Sequence, residues 1–218
     1  MPNFFMKLLL LWLLPLLSCF PAAGPPAVRV TFRPLTKAAY LATKKMAIST
    51  KPVMTFPLKK VWGRIVIPTA EGRVFFKDKL ADEGTPEREL YYYHGYSPQL
   101  KCHLIQHDFW EYSGNILLDK SGRQTEVYTK PVYSPNFTSF ATISAGIADA
   151  VFPNEIRMYR LENHHWKQIW ILEPAVEPAT WAPDEIQWLS NTTLLLKKKM
   201  WTGPYPGTTF IYSRLDIR

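Results

Sequence analysis

The sequence predicts an all-β fold made of short antiparallel meanders stacked on one another. Three observations carry that expectation. From Val61 onward, strand-length segments with apolar or alternating character follow one another, punctuated by turn residues. Aromatic residues are abundant, with eight Trp, eleven Tyr and twelve Phe, and such side chains suit a pleated, half-buried surface. A phrase of aromatic, small residue and proline also recurs, as Tyr96-Ser97-Pro98, Tyr133-Ser134-Pro135 and Trp181-Ala182-Pro183. The alternative packing of the same strands is a β-sandwich.

At the N-terminus, Lys7 precedes LLLLWLLPLL over residues 8–17. A membrane-spanning helix needs roughly 20 apolar residues. A shorter run behind one positive charge, with small residues after it, reads as a secretory signal over residues 1–24. The chain is therefore expected to be exported, to a periplasm, an outer-membrane-associated site or the extracellular space. Residues 16–19, LLSC, resemble the bacterial lipobox, with Leu17 where a smaller residue is usual. In that reading residues 1–18 are removed and Cys19 is lipidated. Ordinary cleavage near Ala22-Ala23-Gly24 is the other reading. Cys19 and Cys102 are the only two cysteines, so no disulfide framework is available and a packed core must hold the domain.

Charge is unevenly spread. The formal net charge is +8, yet no Asp or Glu precedes Glu71. Residues 25–60 read as a basic leader ahead of a β domain over 61–218. Arg29, Arg33, Lys37, Lys44, Lys45, Lys51, Lys59 and Lys60 lie in it, and Arg64 just beyond. Such a segment is either a solvated leader or attracted to anionic lipid, and with an acyl chain on Cys19 it would supply a second membrane signal. Export, and the lack of aromatics interleaved with the cations, argue against nucleic acid as a partner. LTKAAYLATKKMA, 35–47, places Leu35, Ala38, Ala39, Ala42 and Met46 near one side of a short helix.

The strands follow. WGRIVIP, 62–68, and RVFFKD, 73–78, form a hairpin around Gly72, and 78–89 is a polar loop. The first unit opens at YYYHGYSP and has strands over 101–109, 114–119 and 123–129. A second opens at VYSPN, with strands over 137–146, 155–162 and 165–173. The third opens at TWAPDEI, contains EIQWLS and TLLLKKKMW, and closes with 209–217. Units of this length, each too small to bury both faces, are expected to lean on their neighbours. Proline lacks an N–H and so marks the way into each sheet.

YSPNFTSFATIS resembles the turn and strand of WD-like and TolB-type propellers, in which the segment after the turn is an inner strand. KSGRQTEVYTKPVYSP likewise resembles the passage from an outer strand to the next blade. Phe137 stands where that pattern has a turn glycine, and no Trp-Asp pair closes a blade. With its leader, its GYSP unit, FWEYSG and WAPDEIQW, the chain is similar to secreted bacterial proteins with a propeller-like β domain. The resemblance implies a small closed or a partial propeller and no particular activity.

The densest polar and aromatic stretch is QHDFWEYSG, 106–114. Asp108 and Glu111 are weak candidates for a glycosidase carboxylate pair, which would have to flank a scissile bond. Trp110 and Tyr112 are candidates to stack on sugar faces. His103, Ile105 and His107 should share one strand face, but two histidines do not make a metal site, which wants three or four ligands. His164 and His165 sit in a hairpin turn. Lys197-Lys198-Lys199 suits an edge strand, where lysines discourage unwanted pairing. Cys102 lacks an activating base in sequence and reads as a small buried side chain. No metal or cofactor is expected. The expected function is a non-catalytic binding or scaffold module of the cell envelope with a protein or glycan partner. The alternative is a carbohydrate-binding or carbohydrate-active protein using Asp108 and Glu111.

Overall fold

A computed structural model describes residues 28–80, 88–109, 113–146, 153–174, 181–200 and 209–218. The fold is all-β, with antiparallel sheets and, among the described residues, no closed barrel and one short helix. The hairpin predicted around Gly72 forms from β2 (Arg64–Thr69) and β3 (Gly72–Lys77). A four-stranded meander follows from β4 (Leu90–Ser97), β5 (Cys102–Asp108), β6 (Ser113–Asp119) and β7 (Gln124–Val127). The next comprises β8 (Val132–Tyr133), β9 (Ser139–Ser144), β10 (Glu155–Glu162) and β11 (His165–Leu172). The last contains β12 (Trp181–Ser190), β13 (Thr193–Met200) and β14 (Phe210–Ile217). Its fourth strand comes from the other end of the chain, where β1 (Val30–Leu35) pairs with β14 from Val30↔Ile217 to Leu35↔Tyr212.

Neither face of such a sheet can be left dry alone, and the apolar clusters show how the layers lean together. Ile65, Ile67 and Phe76 of the hairpin pack on Ile105, Ile116 and Leu118 of the first meander. The opposite face of that meander, with Cys102, Leu117 and Val127, packs on Tyr133, Phe140, Tyr159 and Trp166 of the second. Ala141, Ile156 and Met158 of the second then meet Ile186, Trp188, Leu194, Leu196 and Leu215 of the third. Alternation along the strands thus gives the first and second meanders a layer on each face, with the hairpin and the third meander at the two ends.

The basic segment is built into this stack, which corrects the expectation of a leader in front of residue 61. Beyond β1 it forms α1 (Lys37–Lys44), whose Thr36 hydroxyl accepts from the Ala39 N–H at 3.2 Å as an N-cap. Tyr40 is buried against Tyr212, and Lys44 reaches Glu185 at 2.7 Å. Arg33 pairs with Asp216 and Lys60 with Asp78. Three of these cations are therefore answered by carboxylates beyond the segment.

From α1 the segment crosses the first strand of each meander in turn. The Ile48 N–H donates to the Trp188 carbonyl at 2.8 Å. The Thr50 hydroxyl donates to the Tyr133 carbonyl at 3.0 Å. Thr55 and Tyr96 exchange backbone hydrogen bonds of 2.9 and 2.8 Å. Strands β12, β8 and β4 each lie at one edge of their sheets, so this crossing covers edges that would otherwise be open.

Three sequence readings change. YYYHGYS is a strand rather than a turn-like opening, and Pro98 lies just after it. The segment after each turn is the second strand of its sheet, because β4 and β8 precede it. Trp181-Ala182-Pro183 is no turn: it begins β12, an edge strand that tolerates Pro183 at a register shift. The turn matching Ser97 and Ser134 falls instead at Ser190-Asn191, after Trp188. Phe137 does hold the left-handed backbone a glycine would, at φ 58, with its ring packed against the second cluster.

Candidate functional site

The turns of three layers converge on one cavity of about 590 Å³. The hairpin contributes Ala70, whose N–H donates to the Lys120 carbonyl at 2.8 Å. The first meander contributes Tyr96, Pro98 and Lys101 from one turn and Asp119, Lys120 and Ser121 from another. The second contributes Asn163, His164 and His165.

Asp119 is the anchor. Its Oδ1 accepts from the Ser121 N–H at 2.8 Å, the Ser121 hydroxyl at 2.7 Å, and the N–H groups of Gly122 and Arg123, both at 3.1 Å. His165 Nδ1 donates to Oδ2. Burial pushes this carboxyl up, but hydrogen bonds from Ser121, His165 and Arg123 outweigh it and hold it below the usual carboxylate range. Asp119 is thus an ionised, fully engaged group that fixes the orientation of His165. Beside it, Lys101 Nζ donates to His164 Nδ1 at 3.1 Å, which leaves that nitrogen as an acceptor.

The backbone here is unusual. Lys101 at φ 54, Asn163 at φ 50 and His164 at φ 69 are left-handed, a region that Asn and His visit more readily than Lys. Asn163-His164 is a two-residue hairpin turn in which histidine stands where Asn-Gly would be expected. Strained non-glycine residues gather where geometry is held for a purpose. The site presents the cations Lys101 and Lys120 with two histidines around one ionised carboxylate, so its chemistry suits a small polar ligand with negative charge.

The sequence candidates fall elsewhere. Trp110, Glu111, Tyr112 and Cys19 lie outside the described residues. Asp108 ends β5, where Gln106 Nε2 donates to it at 2.8 Å. At a rise of ~3.3 Å per residue it stands about 20 Å along the strand from Cys102, the cross-strand partner of Asp119. Asp108 is therefore at the far end of its meander from the cavity. His103 and His107 do share a face, turned toward the hairpin. His103 Nδ1 receives the Tyr93 hydroxyl at 2.9 Å, and His107 stacks on Tyr91. Burial pulls both imidazoles down, which keeps them neutral. Among the described residues no three His, Cys, Asp or Glu side chains converge as a metal site. Cys102 is fully buried and its thiol is pushed up to about 12, chiefly by that burial.

The lysine run is also corrected. Strand β13 lies between β12 and β14, so it is not an edge. Lys197 pairs with Asp184 at 2.6 Å, while Lys198 turns inward against Trp181 and Phe32. Residue reading missed the cavity because its parts come from four turns spread over 70–165. The one local signal was His164-His165 following Asn163 in a tight turn. No family model, curated protein or solved structure matches this chain.

Proposed function

We propose that this chain is an exported binding module held at the cell envelope, and that the cavity between its turns seats a small anionic ligand. The observation that carries the reading is the Asp119–His165 pair at a cavity walled by three left-handed, non-glycine residues. Fixed turns on rigid sheets suit recognition, because little ordering is needed when the ligand arrives. The layered meanders and the closure of the last sheet by β1 support a propeller-like arrangement of partial blades. Export rests on residues 8–17, and envelope attachment on acylation of Cys19.

Two experiments test this. Thermal-shift titration with inorganic phosphate, dicarboxylates and acidic monosaccharides should raise the melting temperature of the wild-type chain. The shift should vanish in His165→Gln and Lys101→Met. A shift that survives both substitutions moves the ligand elsewhere, and no response to any of these anions ends the anion reading. Metabolic labelling with a palmitate analogue in a bacterial host should mark the wild type and not Cys19→Ser; an unlabelled wild type removes the lipid anchor.

A further inference from the structure

We propose that the outer face of the β2–β3 hairpin, led by Trp62, is a contact surface for an anionic lipid bilayer. This deepens the envelope reading above and rests on it. The hairpin ends the stack. Its inner residues Ile65, Ile67 and Phe76 are buried, so the alternate positions face outward.

Those positions pair across the strands as Arg64↔Lys77, Val66↔Phe75 and Pro68↔Arg73. Like charges placed directly opposite one another destabilise a ladder. Arg64 opposite Lys77 is thus an arrangement that gains from an anionic surface laid over it. No carboxylate occupies these outward positions, and Phe75 between the cations is 56% exposed.

The turn that leads into β2, at the end of the hairpin away from Gly72, adds a second, independent feature. Val61 and Arg64 exchange backbone hydrogen bonds of 2.9 Å around Trp62 and Gly63. Both central residues are left-handed, at φ 51 and φ 66. The first of these places favours Asn, Asp or Gly, yet it holds a tryptophan that is 97% exposed. Val61 beside it is also exposed, and Lys59 precedes it. A strained turn that holds a large indole clear of the fold gains nothing in water. Indoles partition to the boundary between headgroups and acyl chains, and flanking Lys and Arg are drawn to anionic headgroups there. The charge of the whole face decides for lipid.

The test uses the full-length chain with vesicles of equal phosphatidylglycerol and phosphatidylcholine, or of phosphatidylcholine alone. The emission of Trp62 is isolated by subtracting Trp62→Phe from wild type. On the anionic vesicles that difference emission should shift to the blue and be quenched by brominated lipid. Arg64→Glu with Lys77→Glu should weaken sedimentation with these vesicles by about tenfold or more, since each cation near such a surface adds materially to attraction. Both variants alter exposed positions, and circular dichroism confirms that they fold. Trp62 emission that stays unquenched while the protein sediments with vesicles overturns the proposal, as does burial of Trp62 only in a dimer or protein complex. A wild-type chain that takes up no palmitate label while Trp62 quenching stays intact would end the lipid-anchor reading and leave this surface standing.

Discussion

Gly95 shows how one residue sets the course of the chain. Its φ is +106, and a Cβ added there would lie 2.5 Å from the Thr55 carbonyl oxygen. The crossing segment can approach β4 only because that side chain is missing. Gly95→Ala should destabilise the protein by about 1–3 kcal/mol, combining overpacking with an unfavourable backbone. The urea midpoint measures this, and limited proteolysis should show new cleavage between residues 45 and 56. His103 and His107 give a residue-scale pH dependence. Their folded pKa values are lowered by burial, so the unfolded chain binds protons more readily. The stability they provide is complete above about pH 6.5 and is lost as pH falls from there. A urea midpoint that declines from pH 7 to 5, with a shallower decline in His103→Phe, is the expected result. Asp119 adds loss further toward acid, since its folded pKa is also lowered.

At the scale of elements, the third meander depends on a strand borrowed from the N-terminus. Phe32 and Val30 pack on the third cluster, and Arg33 meets Asp216 at 2.8 Å. A chain lacking residues 28–35 should expose the β14 edge and lose apolar cover at once. Its expected behaviour is aggregation, or loss of a cooperative melt by circular dichroism, rather than a modest shift in melting temperature. Element reading from sequence succeeded where periodicity was local: the hairpin, β5, β6, β10, β11 and β14 fall where alternation placed them. It failed at β4 because three tyrosines, a glycine and a nearby proline look like a turn, and Gly95 in fact marks a bulge. It failed for Lys197–Lys199 because neighbour order within a sheet is a tertiary property that no single strand encodes.

For the whole molecule, the layered architecture was legible and its fastening was not. The recurring phrase predicts Tyr96, Tyr133 and Trp181 between stacked sheets; of these Tyr133 joins the second cluster, whose seam is filled mostly by Phe140, Tyr159 and Trp166. Nothing in residues 25–60 announced that Trp188, Tyr133 and Tyr96 would serve as docking points for Ile48, Thr50 and Thr55. Those contacts join positions far apart in sequence, and only assembly brings them together. The cavity escaped notice for the same reason. Asp119 and His165 each look like ordinary turn residues until two meanders are laid side by side.

The pairing of Val30 with Ile217 also governs timing. β1 is synthesised well before β14, so the early strand must wait, without its partner, while the residues between them are made. Ladders joining the two ends of a chain carry a large loop-closure entropy and form slowly. The third meander is therefore the last layer to close, with Leu194 and Leu215 short of the cover that Val30 and Phe32 bring until β1 docks.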